Sequence, residues 1–79
     1  MNEVGKVIHY YSGIGVAVVK LSKKLKVGEK VQFKGTTTDF EQEVASMEID
    51  KKKIQEAKVG QEVGLKVADR VREGDAIYK

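Results

Sequence analysis

The chain has 79 residues, a formal net charge of +3, one histidine and no cysteine. This length predicts a single domain over residues 1–79 with one compact core. The absence of cysteine excludes disulfides and thiolate metal sites, and a lone histidine does not supply the usual ligands of zinc, so we expect no metal. No apolar run approaches the roughly 20 residues of a membrane-spanning helix, and the N-terminus lacks the apolar core of a signal peptide. We therefore expect a cytoplasmic protein without a membrane partner.

Apolar and polar residues alternate along much of the chain, which is the period of half-buried β-strands. In chain order, the predicted strands cover residues 4–11, 16–21, 30–34, 40–49, 62–67 and 76–78. Residues 50–58 are the one helical candidate, and we expect at most one helical turn there. We expect the core to be built by apolar residues of these segments: Val7, Val16, Val18, Leu25, Val31, Phe33, Val44, Met47, Val63, Leu65, Val67 and Ile77.

Three segments repeat one short pattern, KVGEKV at 26–31, KVGQEV at 58–63 and REGDAI at 72–77. In each segment a glycine is followed by a polar residue, a spacer and a β-branched residue. Glycine at this place favours a turn with positive φ, after which the chain enters a strand. Six strands in an open sheet would leave two exposed edges, and closure removes them. We therefore predict an all-β fold, a small closed six-stranded antiparallel barrel.

No motif in the sequence indicates catalysis. The phosphate-binding pattern GxxxxGK[ST] is absent, so we expect no nucleotide binding. The three serines have only His9 as a possible general base, and no nucleophile elbow is present. We therefore predict a protein that is not an enzyme and that uses no cofactor.

Basic residues are concentrated in the first half of the chain, where residues 1–34 hold seven lysines and two glutamates. Such a patch is suited to phosphate contacts, and we take Lys20, Lys23, Lys24 and Lys26 as candidates for them. His9 and Tyr11 are predicted to flank a shallow pocket. The alternative is a solvated lysine-rich face on a heat-adapted protein, because 34% of the residues are charged, with Lys and Glu dominant.

The order of four segments resembles domain 2 of the translational GTPases, the β-barrel family of elongation factor Tu. These segments are KVGEKV at 26–31, VASM at 44–47, AKVGQEVGL at 57–65 and VREGD at 71–75. The resemblance covers residues 4–79 and implies a stand-alone translation-protein barrel without the GTPase domain. It also implies tRNA, rRNA or a ribosomal protein as partner. A similar barrel occurs as an appendage in some peptidase families.

Two functions follow as predictions. The first is a translation-factor-like binding module that contacts RNA or the ribosome. The alternative is a protein-interaction or accessory barrel, once fused to a larger enzyme or acting beside one, with no nucleic-acid role.

Overall fold

The protein folds as a small all-β domain. The computed structural model describes residues 2–79, so Met1, which the predicted domain includes, lies outside the described residues. The strands are β1 (Glu3–Tyr11), β2 (Val16–Leu21), β3 (Leu25–Lys26), β4 (Lys30–Lys34), β5 (Asp39–Glu43), β6 (Met47–Ile49), β7 (Lys52–Ile54), β8 (Glu56–Ala57), β9 (Glu62–Lys66) and β10 (Ala76–Tyr78). No helix occurs within residues 2–79, and hence none that could cross a membrane. The predicted all-β class is confirmed.

Two of the predicted elements are wrong in the middle of the chain. The predicted strand 40–49 is two strands, β5 and β6, because residues 44–46 leave the sheet between them. Residues 50–58 form β7 and β8 instead of a helical turn. Asp50 and Lys51 have φ of 51° and 66° and make a two-residue turn that pairs Ile49 with Lys52. Positive φ at both central residues is the conformation that joins antiparallel strands in a tight hairpin.

The sheet is open, so the predicted closed six-stranded barrel is also wrong. Eight strands form one antiparallel sheet in the order β5-β4-β10-β1-β2-β9-β6-β7, and β3 pairs with β8 separately. The edge strands β5 and β7 do not pair with each other. Instead, Gln42 of β5 donates from Nε2 to the carbonyl of Lys66 (2.8 Å) and accepts from the N–H of Ala68 (2.7 Å). The Gln42 side chain thus connects β5 to the end of β9 and to the segment after it, where the strands themselves do not pair.

The core lies on the inner face of this curved sheet. Phe33, Leu25, Met47 and Leu65 are among its largest buried side chains. Most of the predicted core residues are buried, but those of β2 are not: Val16 and Val18 are half-buried, whereas Ala17 and Val19 are fully buried. A shift of one residue exchanges the two faces of a strand. All four residues of this run are apolar, so their alternation does not indicate which pair faces inward.

Three turns share one hydrogen-bonded design, and their glycines have the positive φ that the repeated pattern predicts. Their glycines have φ of 98°, 86° and 92° at Gly28, Gly60 and Gly74. The side chain after each glycine accepts from the backbone N–H three positions earlier: Glu29 from Lys26 (2.7 Å), Gln61 from Lys58 (2.7 Å) and Asp75 from Arg72 (2.8 Å). Each glycine N–H donates at 2.8 Å to a carbonyl elsewhere in the fold, that of Val44, Leu21 and Val7 respectively. Each turn therefore fastens the start of a strand to a distant segment.

Candidate functional site

The outer face of β1 carries two aromatic rings in contact. In its pairing with β2, β1 has one extra residue, Ile8, between Val7 and His9. This bulge changes the alternation, so Tyr10 packs against the core while His9 and Tyr11 both face outward. The ring centroids of His9 and Tyr11 lie 4.2 Å apart with a tilt of 58°, and Tyr11 is 50% exposed. The two predicted pocket residues are therefore brought together.

A cleft of about 330 Å³ lies beside these rings on the outer face, and we call it the Gly64 cleft. In the sheet, Gly64 of β9 lies between Val18 of β2 and Glu48 of β6. Because Gly64 has no side chain, it leaves a depression among its neighbours. The cleft is lined by Tyr11, Val18, Glu48, Asp50, Lys51, Glu62 and Gly64.

Four of the seven residues that line the Gly64 cleft are charged. The cleft holds three carboxylates and one ammonium, whereas the whole chain has a net charge of +3. Glu48 lies opposite Lys53 and Glu62 lies opposite Lys20 in neighbouring strands. Neither pair forms a salt bridge, since the salt bridges within residues 2–79 are Lys26–Glu56 and Lys79–Glu29. Each of these glutamates nevertheless has a lysine directly across the sheet on the same outer face, so the charge around the cleft is close to balanced.

One side of the Gly64 cleft is a strained turn. Asp50 and Lys51 of the β6–β7 hairpin both have positive φ, and both line the cleft. This region disfavours residues with a Cβ, by about 1–2 kcal/mol per residue, although aspartate tolerates it better than lysine. Backbone strain of this kind concentrates at binding and catalytic sites. The hairpin requires this conformation, so the strain is accounted for by the turn itself.

The predicted lysines do not form one patch with the aromatic pair. Lys20 lies on the outer face of β2, between Lys6 of β1 and Glu62 of β9. Lys23 and Lys24 lie in the segment after β2, and Lys26 lies on β3 and pairs with Glu56 at 3.4 Å. Their proposed phosphate contacts stay a prediction.

Sequence reasoning missed most of the Gly64 cleft, namely Glu48, Asp50, Lys51, Glu62 and Gly64. Two signals point to it. An isolated glycine within a strand marks a bend or a place where another group approaches closely. A pair of polar residues between two short β-segments marks a hairpin turn. Neither signal shows that these residues meet His9 and Tyr11.

A second cleft of about 310 Å³ lies at the start of β5. It is lined by Thr37, Thr38, Asp39, Phe40, Asp69, Arg70 and Arg72. Its two guanidinium groups and two carboxylates balance in charge, and the Thr38 hydroxyl donates to Asp75. In the part of the chain that the structure describes, neither cleft contains a group of three or more side chains placed to hold a metal ion.

The chain resembles parts of named proteases in sequence. No protein-family model matches it. It is 40% identical over 77 residues to an uncharacterized protease of Methanocaldococcus jannaschii, a match covering 96% of this chain and 19% of that protein. It is 32% identical over 78 residues to a collagenase of Porphyromonas gingivalis, covering 96% of this chain and 22% of the collagenase. The chain thus spans about a fifth of the length of the curated relatives it matches.

Solved structures show the same fold. A crystal structure of the C-terminal domain of a putative U32 peptidase from Geobacillus thermoleovorans matches with a TM-score of 0.95, 22% sequence identity and complete coverage of both chains. A second crystal structure of that domain has a TM-score of 0.89 and 22% identity, and the match covers 95% of this chain and 88% of the other.

These matches overturn the predicted family and function. The resemblance to domain 2 of the translational GTPases is wrong, because the similar proteins are proteases and the matching fold is that of a U32 peptidase domain. The translation-factor-like, RNA-binding function is wrong with it, and the alternative of an accessory barrel is not supported either. The tRNA, rRNA or ribosomal partner and the cytoplasmic location stay untested predictions. What the comparisons establish is similarity to part of a protease, in the fold of a U32 peptidase C-terminal domain.

Proposed function

We propose that this chain is the substrate-binding part of a U32-like peptidase, that the Gly64 cleft holds the polypeptide substrate, and that hydrolysis takes place in another part of that enzyme. The observation that carries the proposal is the extent of the matches. They cover 96% of this chain but 19–22% of proteins named protease and collagenase. About four fifths of each relative therefore lies outside the matched region and is available for catalysis.

The outer face of the sheet supports a binding role. The Gly64 cleft combines a half-exposed aromatic ring, an apolar floor at Val18 and a charged rim. Ligand sites combine apolar and aromatic surface with a few polar groups that orient the ligand, and the Gly64 cleft has both, although its lining is more polar than apolar. Catalysis by a serine needs a base in hydrogen-bonding reach. Within residues 2–79, His9 packs against Tyr11 with the two rings tilted, and it makes no side-chain hydrogen bond to a serine.

The test uses fluorescently labelled gelatin, which is denatured collagen. The purified chain is expected to bind gelatin in a fluorescence anisotropy titration and to release no labelled fragments on prolonged incubation. A Gly64→Val variant, which fills the cleft, should bind gelatin more weakly. Hydrolysis by the chain alone, or failure to bind gelatin and other unfolded polypeptides, would overturn the proposal.

A further inference from the structure

We infer that the exposed side chains of Ile8, Tyr11 and Ile14, which we call the β1 ridge, form the surface by which this chain packs against the catalytic part of the same enzyme. The inference rests on the proposed function, because it needs an enzyme in which hydrolysis takes place outside this chain. It goes further by naming the surface at which the two parts meet. The contact is intramolecular, between two parts of one polypeptide.

The β1 ridge gathers most of the exposed apolar surface of the domain. Within residues 2–79, four large apolar side chains are exposed, and three of them are Ile8, Tyr11 and Ile14, at 38%, 50% and 64%. All three lie on β1 or in the turn that follows it. Single apolar side chains on a surface need no explanation, whereas grouped ones mark sites of contact. The grouping therefore indicates a surface that another apolar surface covers.

The bulge in β1 accounts for the exposure of Ile8. This residue has no partner in β2, because the pairing passes from Val7 directly to His9. A bulge interrupts the hydrogen-bonded ladder and directs a side chain to a new place. Ile8 is not one of the core residues. The isoleucine thus adds nothing to the packing of the isolated domain, and a contact made outside the domain explains it better.

Two clefts with mainly apolar lining lie along the β1 ridge. One, of about 320 Å³, includes Ile8 and the buried Leu21 in its lining. The other, of about 350 Å³, lies in the hairpin between β1 and β2 and includes Tyr11 and Ile14. Side chains of a facing surface fit into depressions of this kind, and well-packed interfaces are built in this way. The ridge therefore offers both projecting side chains and clefts to its partner.

The size of the β1 ridge favours a partner on the same polypeptide. A large side chain has roughly 200 Å² of surface, so the exposed fractions leave roughly 300 Å² on the ridge. A stable complex of separate proteins needs roughly 800 Å² from each partner. Contacts between domains of one chain begin at roughly 600 Å² for both sides together, since the covalent link holds the domains at high effective concentration. The ridge is therefore too small for a separate protein or a second copy, and large enough for another domain of the same chain.

The β1 ridge also adjoins the proposed substrate site. Tyr11 belongs both to the ridge and to the Gly64 cleft. A catalytic part packed on Ile8 and Ile14 therefore lies beside the cleft that we propose for the substrate, and the bound polypeptide is held close to the reacting groups. The relatives are long enough to supply such a part, because about four fifths of each lies outside the matched region.

The experiment measures how readily a cysteine on the β1 ridge reacts with iodoacetamide. The chain has no cysteine of its own, so Ser12→Cys places a single thiol between Tyr11 and Ile14. The control is Glu43→Cys on β5, which β10 and β4 separate from β1. Both positions are exposed in the isolated chain. Each variant is made in the isolated chain and in a chimera, in which the chain replaces the matching segment of the Methanocaldococcus jannaschii protease.

The thiol of Ser12→Cys is expected to react about tenfold more slowly in the chimera than in the isolated chain, because the reaction requires the packed surface to open. The thiol of Glu43→Cys should react equally fast in both proteins. Mass spectrometry of the labelled peptide measures the rate at each position.

Substitutions assign the protection to the apolar side chains. In the chimera, Ile8→Ser with Ile14→Ser should return the labelling of Ser12→Cys to the rate of the isolated chain. The matched control is Val59→Ser. Val59 is 63% exposed and lies beside Gly60, whose N–H bonds to Leu21 at the end of β2 far from the hairpin, so its replacement should leave the protection unchanged. Circular dichroism checks that each variant is folded.

The outcomes separate this inference from the proposed function. Equal labelling of Ser12→Cys in the isolated chain and the chimera would overturn the inference, while gelatin binding by the isolated chain would still support the proposed function. Slow labelling in the isolated chain at concentrations where it self-associates would assign the ridge to a second copy and overturn the inference. Binding of the isolated chain to phosphatidylcholine vesicles, lost with Ile8→Ser and Ile14→Ser, would also overturn it. Protection in the chimera without gelatin binding by the isolated chain would overturn substrate binding and retain the packing contact.

Discussion

Gly35 leaves the space that the carboxylate of Asp75 occupies. A Cβ on Gly35 would overlap Oδ1 of Asp75 and lie 2.5 Å from its Cγ. Asp75 is 5% exposed, and its Oδ2 accepts hydrogen bonds from the hydroxyl of Thr38 and from the N–H of Arg72. The absence of a side chain at Gly35 thus allows the β4–β5 turn to pack against the third glycine turn.

The first prediction concerns this contact. Gly35→Ala should lower the free energy of unfolding by about 2–3 kcal/mol, because the Asp75 carboxylate must move and leave buried hydrogen-bonding groups without partners. Urea denaturation measures the change. Gly13→Ala is the control, since a Cβ at Gly13 meets no atom within 4 Å. Equal stability of the two variants would contradict the prediction.

The second prediction is a pH dependence that comes from Glu29. Its carboxylate accepts from the ammonium of Lys79 at 2.8 Å and from the N–H of Lys26 at 2.7 Å. The hydrogen bond from Lys79, aided by the one from Lys26 and opposed by burial, lowers the pKa of Glu29 below its usual 4.5. Ionised Glu29 therefore stabilises the fold above pH 4.5, and this contribution disappears as the pH falls through the lower, folded-state pKa.

Glu29→Gln isolates this charge effect. Glutamine keeps an acceptor for the N–H of Lys26, as Gln61 does for Lys58 in the equivalent turn. We expect Glu29→Gln to cost about 0.5 kcal/mol at pH 7, a value reduced by the partial exposure of the pair, and nothing near pH 2. Glu29→Ala should cost about 1 kcal/mol more because it also removes the acceptor. A Glu29→Gln effect that does not change between pH 7 and pH 2 would refute the assignment.

The third prediction concerns the side chain that links the edge strand β5 to the chain after β9. Gln42→Ala should lower the free energy of unfolding by about 1–3 kcal/mol, because two hydrogen bonds to backbone groups are lost. Gln42→Glu should also be destabilising at pH 7, since a carboxylate cannot donate to the carbonyl of Lys66. Gln32→Ala is the control, with one hydrogen bond to the exposed Asp39. Thermal unfolding followed by circular dichroism ranks the three, and a control as damaging as Gln42→Ala would argue against the link.

The fourth prediction concerns strain in the β6–β7 turn. Lys51 has φ of 66°, so Lys51→Gly should raise the free energy of unfolding by about 0.5–1 kcal/mol. Asp-Gly is also a preferred pair for a two-residue hairpin turn. Lys52→Gly, one residue later and within β7, should instead be destabilising. In a domain of this size the gain corresponds to a rise in Tm of about 2–8 °C, and a fall in Tm would contradict the strained geometry.

Local structure was predictable where neighbouring residues decide it. The strands at 16–21, 30–34 and 76–78 occur with the predicted bounds, and the three glycine turns have the predicted positive φ. These features depend on alternation and on the conformational freedom of glycine, both of which are visible in the sequence. The hairpin at Asp50 and Lys51 was missed because its turn uses two residues with a Cβ where glycine or asparagine is usual.

The candidate site was predictable only in part. His9 and Tyr11 lie two residues apart on one strand, so their proximity is a local property. The extra residue Ile8 that turns both outward shows itself only in the pairing with β2. The sequence also did not show which residues of β2 face the core, because all four residues from Val16 to Val19 are apolar.

The sequence by itself determined an all-β chain, the places of most of its strands and the three turns that start strands at Gly28, Gly60 and Gly74. Tertiary structure alone decided that the sheet stays open and that His9, Val18, Gly64 and Glu48 form a row across four strands. The physical reason is that strand register depends on hydrogen bonds between segments distant in the chain. Alternation within each segment carries no information about which residue lies opposite.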